Sequence, residues 1–167
     1  MSLNLELKAR IESPSKVLRT LKKMGSHSET LIQTDTYFGI NRGRLKLREF
    51  AKGKAELIFY TRNEKVGHRW SNYSLLSISD IKKTKEFFKK AFGISAVVRK
   101  TRRVYYYKEE ARIHIDKVRG IGMFIEFEVF CKGRKKKAIF LYNKLVKSFG
   151  IKGKNIVRCS YADLRHQ

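Results

Sequence analysis

Two carboxylates one residue apart, Glu126 and Glu128, are the first sign of chemistry in this sequence. They alternate with the apolar residues Ile125, Phe127 and Val129. Because successive side chains of a β-strand point to opposite faces, both carboxylates would lie on one face of a strand. Two acids this close repel each other unless cations surround them. We therefore expect Arg and Lys side chains, a metal ion or both to lie against this face.

The charge balance points the same way. The chain carries 39 Lys and Arg against 15 Asp and Glu, a net charge of +24. Such an excess indicates an anionic partner: nucleic acid, an acidic membrane or a polyphosphate. A solvated basic surface is the simpler interpretation, and it fits the lysines on helix-like stretches: Lys82, Lys83, Lys85, Lys89, Lys90 and 135–137.

Length and composition limit the class of protein. At 167 residues we expect one domain over 1–167. There is no apolar run of about 18 residues and no leader-like apolar stretch at the N-terminus, so we predict neither a membrane span nor a secretory leader. Cys131 and Cys159 give neither a disulfide framework nor zinc spacing, which favours a reduced, cytoplasmic setting. The histidines show no metal-ligand spacing either: His27, His68, His114 and His166.

Several strands and three helices must position the carboxylates. Residues 4–10 alternate polar and aliphatic side chains, as a strand with one polar face does. Further strands are predicted over 30–38, 44–48, 55–62, 73–78, 96–107, 111–116 and 123–130, with a loop over 66–70 and a last short strand or extended arm over 156–164. Helices are predicted from Ser13 to a stop at Gly25, from Ser79 to Gly93, and over 135–149. This order indicates an α+β domain.

At least four of these strands are charged on one face and aliphatic on the other. A β-sandwich with its polar faces in water fits that pattern equally well. The helices favour another arrangement, because each has an apolar stripe that must bury against the aliphatic faces. Closing the sheet into a barrel of about eight strands then places the charged faces inside. The predicted interior holds Lys8, Arg10, Lys46, Arg48, Lys100, Arg102 and Arg112, with Glu6, Asp116, Glu126 and Glu128.

Such an interior is costly when empty, because charges removed from water need partners. A divalent metal with a polyphosphate would supply them. Mg²⁺ and Mn²⁺ bind carboxylate and phosphate oxygens, and Arg and Lys hold the remaining phosphate oxygens.

The ordered motifs resemble those of a known family. Residues 4–8 (NLELK) are similar to its opening Glu-x-Glu-x-Lys signature. The other matching stretches are 33–38 (QTDTYF), 43–49 (GRLKLRE), 98–102 (VRKTR), 114–129 (HIDKVRGIGMFIEFEV) and 160–164 (SYADL). Together they resemble the CYTH group, the triphosphate tunnel metalloenzymes, and most closely its class IV adenylyl cyclase-like branch. The resemblance covers nearly the whole chain.

This resemblance implies an eight-stranded antiparallel barrel open at both ends, with helices outside and a triphosphate substrate: ATP, thiamine triphosphate or tripolyphosphate. Mg²⁺ or Mn²⁺ would be held by Glu6, Asp116, Glu126 and Glu128. The substrate would be bound by Lys8, Arg10, Lys46, Arg48, Arg62, Lys100, Arg102 and Arg112. Lys8, Glu126 and Glu128 would be the catalytic residues. For Arg10, Arg44, Arg62, Arg69 and Arg112, an exterior basic position is an equally open interpretation.

One departure from the signature is Asn4, which stands where the first Glu is expected. An amide is a weaker metal ligand than a carboxylate, which places cyclase activity in question. Three functions stay open from the residues: ATP cyclisation, hydrolysis of a triphosphate, and binding of polyphosphate or nucleic acid without turnover. The sequence also leaves a homodimer open.

Overall fold

Eight strands and three α-helices make up the residues that the computed structural model describes, 2–24, 28–62 and 68–165. In chain order they are β1 (Ser2–Arg10), α1 (Pro14–Lys23), β2 (Ser28–Phe38), β3 (Arg44–Phe50), β4 (Ala55–Arg62), β5 (Arg69–Ile78), α2 (Ile81–Phe92), β6 (Ile94–Tyr107), β7 (Ala111–Val118), β8 (Gly122–Phe130) and α3 (Lys135–Ser148). None of the helices in these ranges is long and apolar enough to cross a membrane.

The strands form a closed antiparallel barrel in the order β1-β5-β4-β3-β2-β6-β7-β8. The seam joins the first strand to the last, where Glu6 lies opposite Glu128 and Lys8 lies opposite Glu126. The predicted barrel with helices outside and charges inside is confirmed. Closure gives every strand two neighbours, so the sheet has no open edge.

The largest apolar cluster lies outside the barrel, where α1 and α3 cover β1, β7 and β8. Its fully buried members include Leu5 and Leu7 of β1, Phe127 of β8 and Leu145 of α3. Burying a side chain of this size stabilises the fold by roughly 1.5–3 kcal/mol. This core fixes the strands that carry Glu6, Glu126 and Glu128.

The second helix differs from the prediction that its apolar stripe is buried. None of the residues of α2 is fully buried. Phe88 packs against Phe38 with ring centroids 5.3 Å apart, but Phe87 is 66% exposed. Adjacent residues lie about 100° apart around a helix, so Phe87 faces solvent when Phe88 faces the sheet.

The C-terminal arm fills one end of the barrel. Ile156 forms a single bridge with Ala9, after which the chain runs extended and ends in a 3₁₀ turn, Asp163–Arg165. Tyr161 is 3% exposed and packs edge-on against Phe124, with ring centroids 5.0 Å apart. The resemblance implies two open ends, whereas this end is filled by apolar side chains: Tyr37, Val98, Val118, Phe124, Tyr161 and Ala162.

Smaller differences concern element ends. Arg69 and Trp70 were predicted as loop residues but begin β5. Residues 66 and 67 of that predicted loop, the helix stop at Gly25 and the histidines His27 and His166 lie outside the described residues.

Candidate functional site: a cavity with two charged walls

A cavity of about 310 Å³ occupies the inside of the barrel. Ten of the predicted site residues line it: Glu6, Lys8, Lys46, Arg48, Arg62, Lys100, Arg102, Arg112, Glu126 and Glu128. Six strands contribute these side chains, which alternate with outward-facing apolar residues. The structure therefore brings together side chains more than 100 residues apart in the chain.

One side of the cavity is the cation wall: Lys46 and Arg48 of β3, with Lys100 and Arg102 of β6. Between them lies Asp35 of β2, which is completely buried. Three of the cations bind its carboxylate. Lys46 Nζ lies 3.0 Å from Oδ2, Arg48 Nε lies 2.7 Å from Oδ1, and Lys100 Nζ lies 3.3 Å from Oδ2.

The electrostatics of the wall follow from this shared carboxylate. Burial alone would raise the pKa of Asp35, but Arg48, Lys100 and Lys46 together hold it well below its usual range. Burial, reinforced by Arg48 and opposed by Asp35, lowers the pKa of Lys46 to about 7.

Asp35 was not among the predicted site residues. Its position directly opposite Arg48 in the β2–β3 register is the signal that would have found it.

Asp116, predicted as a metal ligand, lies behind the cavity rather than on its surface. Arg102 binds both of its oxygens, with Nε 2.7 Å from Oδ1 and Nη2 2.6 Å from Oδ2. The hydroxyl of Tyr161 donates to Oδ2 at 3.0 Å. In this arrangement Asp116 orients Arg102 and anchors the C-terminal arm, and its metal role stays a prediction.

The opposite side is the carboxylate wall: Glu6 of β1, with Glu126 and Glu128 of β8. Each acid lies near cations from neighbouring strands. Arg62 Nη1 lies 3.5 Å from Glu6 Oε2, and Arg112 Nη2 lies 2.7 Å from Glu128 Oε2. Glu126 accepts from Arg102, which crosses from the cation wall, and its Oε1 lies 3.7 Å from Lys8 Nζ.

The acids differ in proton affinity. Burial and the facing Glu128 raise the pKa of Glu6 against the opposing effect of Arg62 and Arg69. Burial also acts to raise the pKa of Glu128, but His114 and Arg112 more than offset it, and the value falls to about 2. A carboxyl with a raised pKa beside an ionised one is a place where an added cation would be stabilising.

The donor set fits a hard divalent ion in its chemistry. Glu6, Glu126 and Glu128 offer only carboxylate oxygens, on two strands paired in register. In the described residues no three His, Cys, Asp or Glu side chains converge on a single point that could hold a metal ion. The three glutamates turn instead toward Arg and Lys, so binding a metal here would exchange those ion pairs for coordination.

Lys8 is held at the filled end of the cavity. Its Nζ donates to the carbonyl of Cys159 at 2.9 Å and lies 3.9 Å from the centre of the Tyr161 ring. Burial is the main cause that lowers the pKa of Lys8, to about 8, and Glu126 opposes it.

The arginines for which the sequence left an exterior position open fall into two groups, inside and outside the cavity. Arg62, Arg69 and Arg112 line the cavity. Arg10 is exposed and donates to the carbonyl of Ile121 at 3.0 Å, so its position does not support a substrate contact. Arg44 pairs with Asp163 at 3.1 Å and ties the C-terminal arm to β3.

His114 also lines the cavity. Its Nδ1 lies 3.7 Å from Glu126 Oε2 and 3.8 Å from Glu128 Oε1, both beyond hydrogen-bond distance. Burial, followed by Arg102, lowers its pKa. Both causes make this imidazole a weaker base than an exposed histidine.

The fold and this cavity together define an eight-stranded barrel with a charged interior, and comparison with known proteins gives the family. The chain belongs to the CYTH domain family, whose model matches residues 2–161. A protein of Methanocaldococcus jannaschii, provisionally named an adenylate cyclase, is 31% identical over 98% of both chains.

Two solved structures are similar in fold. A conserved hypothetical protein from Pyrococcus furiosus is 25% identical, with a TM-score of 0.85 over 96% of this chain and 99% of that one. A provisionally named adenylyl cyclase from Hippeastrum, described as having a dominant triphosphatase activity, is 18% identical, with a TM-score of 0.68 over 99% of this chain and 96% of that one.

Proposed function

We propose that this protein is a divalent-metal-dependent enzyme that acts on a triphosphate inside the barrel, in the manner of a class IV adenylyl cyclase. ATP would be converted to cyclic AMP and pyrophosphate. The observation that carries the proposal is the pair of facing walls, one of four cations and one of three carboxylates, across a single cavity. A polyphosphate with a metal ion matches this pair in charge and in ligand chemistry.

The cation wall would bind the phosphate oxygens. Arg48 and Arg102 are each oriented by two hydrogen bonds to a buried carboxylate, so they need little rearrangement on binding. The carboxylate wall would hold Mg²⁺ or Mn²⁺ through Glu6, Glu126 and Glu128. When bound, such an ion neutralises phosphate oxygens and stabilises the leaving group. Lys8 would contact a phosphate from the filled end.

Hydrolysis of tripolyphosphate or thiamine triphosphate is the second candidate. The Hippeastrum protein, with its dominant triphosphatase activity, favours it. The two reactions use the same walls and differ in the phosphorus that is attacked. In cyclisation the ribose 3′-hydroxyl attacks the α-phosphorus, whereas in hydrolysis water attacks the terminal one.

The experiment is incubation with ATP, thiamine triphosphate and tripolyphosphate, each with Mg²⁺ or Mn²⁺, with products resolved by phosphorus NMR. Cyclic AMP with pyrophosphate supports the cyclase, and orthophosphate supports the hydrolase. Tight tripolyphosphate binding without any product would leave a binding protein and overturn the enzyme proposal. Binding of nucleic acid that collapses steeply with salt, without triphosphate binding, would overturn it in favour of a basic surface.

A further inference from the structure

The charged residues around the cavity do not account for the net charge of the chain. The cations that line it are Lys8, Lys46, Arg48, Arg62, Arg69, Lys100, Arg102 and Arg112. The acids that line it are Glu6, Glu29, Glu56, Glu126 and Glu128, and Asp35 and Asp116 are buried behind its surface. The interior is therefore close to neutral, and the proposed function leaves almost all of the +24 unexplained.

Part of this excess lies on the outer face of β6. Arg99, Thr101 and Arg103 are exposed and alternate with residues that line the cavity, so their side chains point away from it. On the neighbouring strand, Lys117 lies directly opposite Thr101 and is exposed as well. Residues that are directly opposite in an antiparallel pair share a face, so Lys117 extends the same outer surface.

These cations form a row. Arg119 follows β7, is exposed, and donates its backbone N–H to the carbonyl of Arg99 at 2.9 Å. We call Arg99, Arg103, Lys117 and Arg119 the basic stripe. Residues two apart in a strand are separated by roughly 7 Å, so the stripe has cations at three successive levels: Arg103, then Lys117, then Arg99 with Arg119.

The strands that carry the stripe provide no counter-charge on this face. The acids of β2, β6 and β7, strands that the structure describes in full, are Glu29, Asp35 and Asp116. All three line the cavity or are buried behind its surface. Like charges close together on one face of a sheet repel each other, so an anionic ligand with several charges would stabilise this row.

The residues beside the stripe fit a nucleic-acid backbone. On β2, Thr30 lies opposite Arg103 and Thr34 lies opposite Arg99. Hydroxyl groups together with Arg and Lys are common donors to phosphate oxygens. Between the two threonines lies Ile32, which is 61% exposed and could cover the face of a base.

The form of this surface favours a single strand. A straight row of cations with regular spacing can follow successive phosphates of an extended chain, and only an unpaired base has a free face for an apolar contact. The outward aromatic residues of these strands, Phe38, Tyr105 and Tyr107, are buried and cannot stack on bases. Binding should therefore depend little on base sequence. The apolar area of Ile32 is too small to insert into a membrane surface.

We propose that the basic stripe binds the phosphate backbone of a single-stranded nucleic acid, as a second anion site outside the barrel. It is independent of the cavity, because its side chains point to the other face of the sheet.

The test is fluorescence anisotropy with a labelled oligodeoxythymidine over a range of salt concentrations. The stripe variant combines Arg99→Gln, Arg103→Gln and Lys117→Gln. We expect it to bind the oligonucleotide at least about tenfold more weakly and to lower the salt slope by about 2, because single strands release roughly 0.7 counterions per phosphate contact. Calorimetric binding of tripolyphosphate should be unchanged in this variant, which also shows that it is folded.

The matched control combines Lys82→Gln, Lys89→Gln and Lys90→Gln, which removes the same charge from exposed positions of α2. It should weaken oligonucleotide binding by less than about twofold and keep the salt slope. Equal losses in both variants, or a wild-type protein that does not bind the oligonucleotide, would overturn the stripe.

Two further results would also contradict the proposal. Displacement of the oligonucleotide by one equivalent of tripolyphosphate would assign its binding to the cavity. Loss of binding to vesicles of phosphatidylserine and phosphatidylcholine in the stripe variant, with oligonucleotide binding unchanged, would identify a membrane as the partner. A wild-type protein that binds the oligonucleotide but not tripolyphosphate would support the stripe and overturn the proposed function instead.

Discussion

The two walls of the cavity are charged in opposite senses, and they are also built differently. The cation wall is neutralised from beneath by Asp35, which has no exposed surface. The carboxylate wall is neutralised from the sides by arginines and lysines that also line the cavity. The side chains of Glu6, Glu126 and Glu128 are 18%, 15% and 20% exposed. Those of the cation wall are less exposed: 10% for Lys46, 14% for Arg48, 2% for Lys100 and 5% for Arg102. One wall is thus fixed before a ligand arrives, and the other consists of ion pairs that a ligand can exchange.

The two walls also differ in the apolar packing on the outer face of the barrel. Two helices and the largest core cluster lie behind the carboxylate wall. Behind β3 of the cation wall lies the small cluster around Phe38 and Leu47, covered by the lightly packed α2. We infer that apolar burial holds the carboxylate wall in place, whereas the buried ion pairs to Asp35 hold the cation wall.

Asp35→Asn should have the largest effect, because it leaves three buried cations without their counter-charge. Breaking a buried ion pair from one side destabilises a protein by about 3–5 kcal/mol. Urea unfolding should show a loss in this range, and tripolyphosphate should restore part of it by pairing with the same cations. The control is Asp80→Asn, which changes an exposed helix cap and should cost well below 1 kcal/mol. Similar values for both would show that Asp35 does not organise the wall.

Glu126→Gln and Glu128→Gln break the carboxylate wall without changing its shape. We expect metal-dependent turnover to fall about 100-fold or more, the upper end of the loss for residues around a metal ligand, with the fold intact. Turnover and circular dichroism of each variant check this. Glu49→Gln, an acid on β3 that pairs with Lys85 of α2, is the control and should keep its rate. Wild-type rates in both wall variants would refute the assignment of Glu126 and Glu128 to metal-dependent turnover.

The pH dependence tests Lys46 of the cation wall, and Lys8, with a pKa lowered to about 8, is a second lysine that titrates near this range. Lys46 has a pKa lowered to about 7, and only its protonated form attracts phosphate. Its charge is present below pH 7 and lost above it, so affinity for tripolyphosphate should fall as pH rises, by about tenfold between pH 6 and 8.

The groups that face Lys46 are Asp35 and Tyr37 of β2, Arg48 of β3, Tyr60 of β4 and Lys100 of β6. Lys46→Arg stays protonated throughout this range and should flatten the profile in calorimetric titrations. An unchanged slope in that variant would assign the pH dependence to another group.

The smallest effect should come from the helix behind the cation wall. Phe87→Ser removes a side chain that is 66% exposed and should change the free energy of unfolding by less than about 0.5 kcal/mol. Phe88→Ser, which loses the contact with Phe38, should cost more. Equal losses in urea unfolding would mean that Phe87 is covered in solution.

Much of this arrangement follows from the sequence because strand alternation is a local signal. Glu126 and Glu128 share a face in any strand, and the same rule assigns Lys46 and Arg48. These residues all line one cavity. The closed barrel followed from the helices needing the opposite faces, which holds for α1 and α3.

What the sequence could not give depends on register between distant strands. Asp35 becomes central only because β2 pairs with β3 so that it faces Arg48, and with β6 so that it reaches Lys100. Tyr161 follows no repeating pattern, and its place beside Lys8 is set by the path of the arm. The prediction that α2 buries its apolar stripe was wrong because the aromatic residues of this helix are adjacent in sequence and point in different directions.

The seam between β1 and β8 has a consequence for synthesis on the ribosome. β1 emerges first, yet one of its two neighbours is the last strand made, and Lys8 meets Cys159 across 151 positions of chain. Until β8 is complete, one edge of β1 has no lasting partner and is open to pairing with other chains. Contacts this distant in sequence also slow folding. Chaperone binding to the unfinished protein should therefore be strongest before the C-terminal third has been translated.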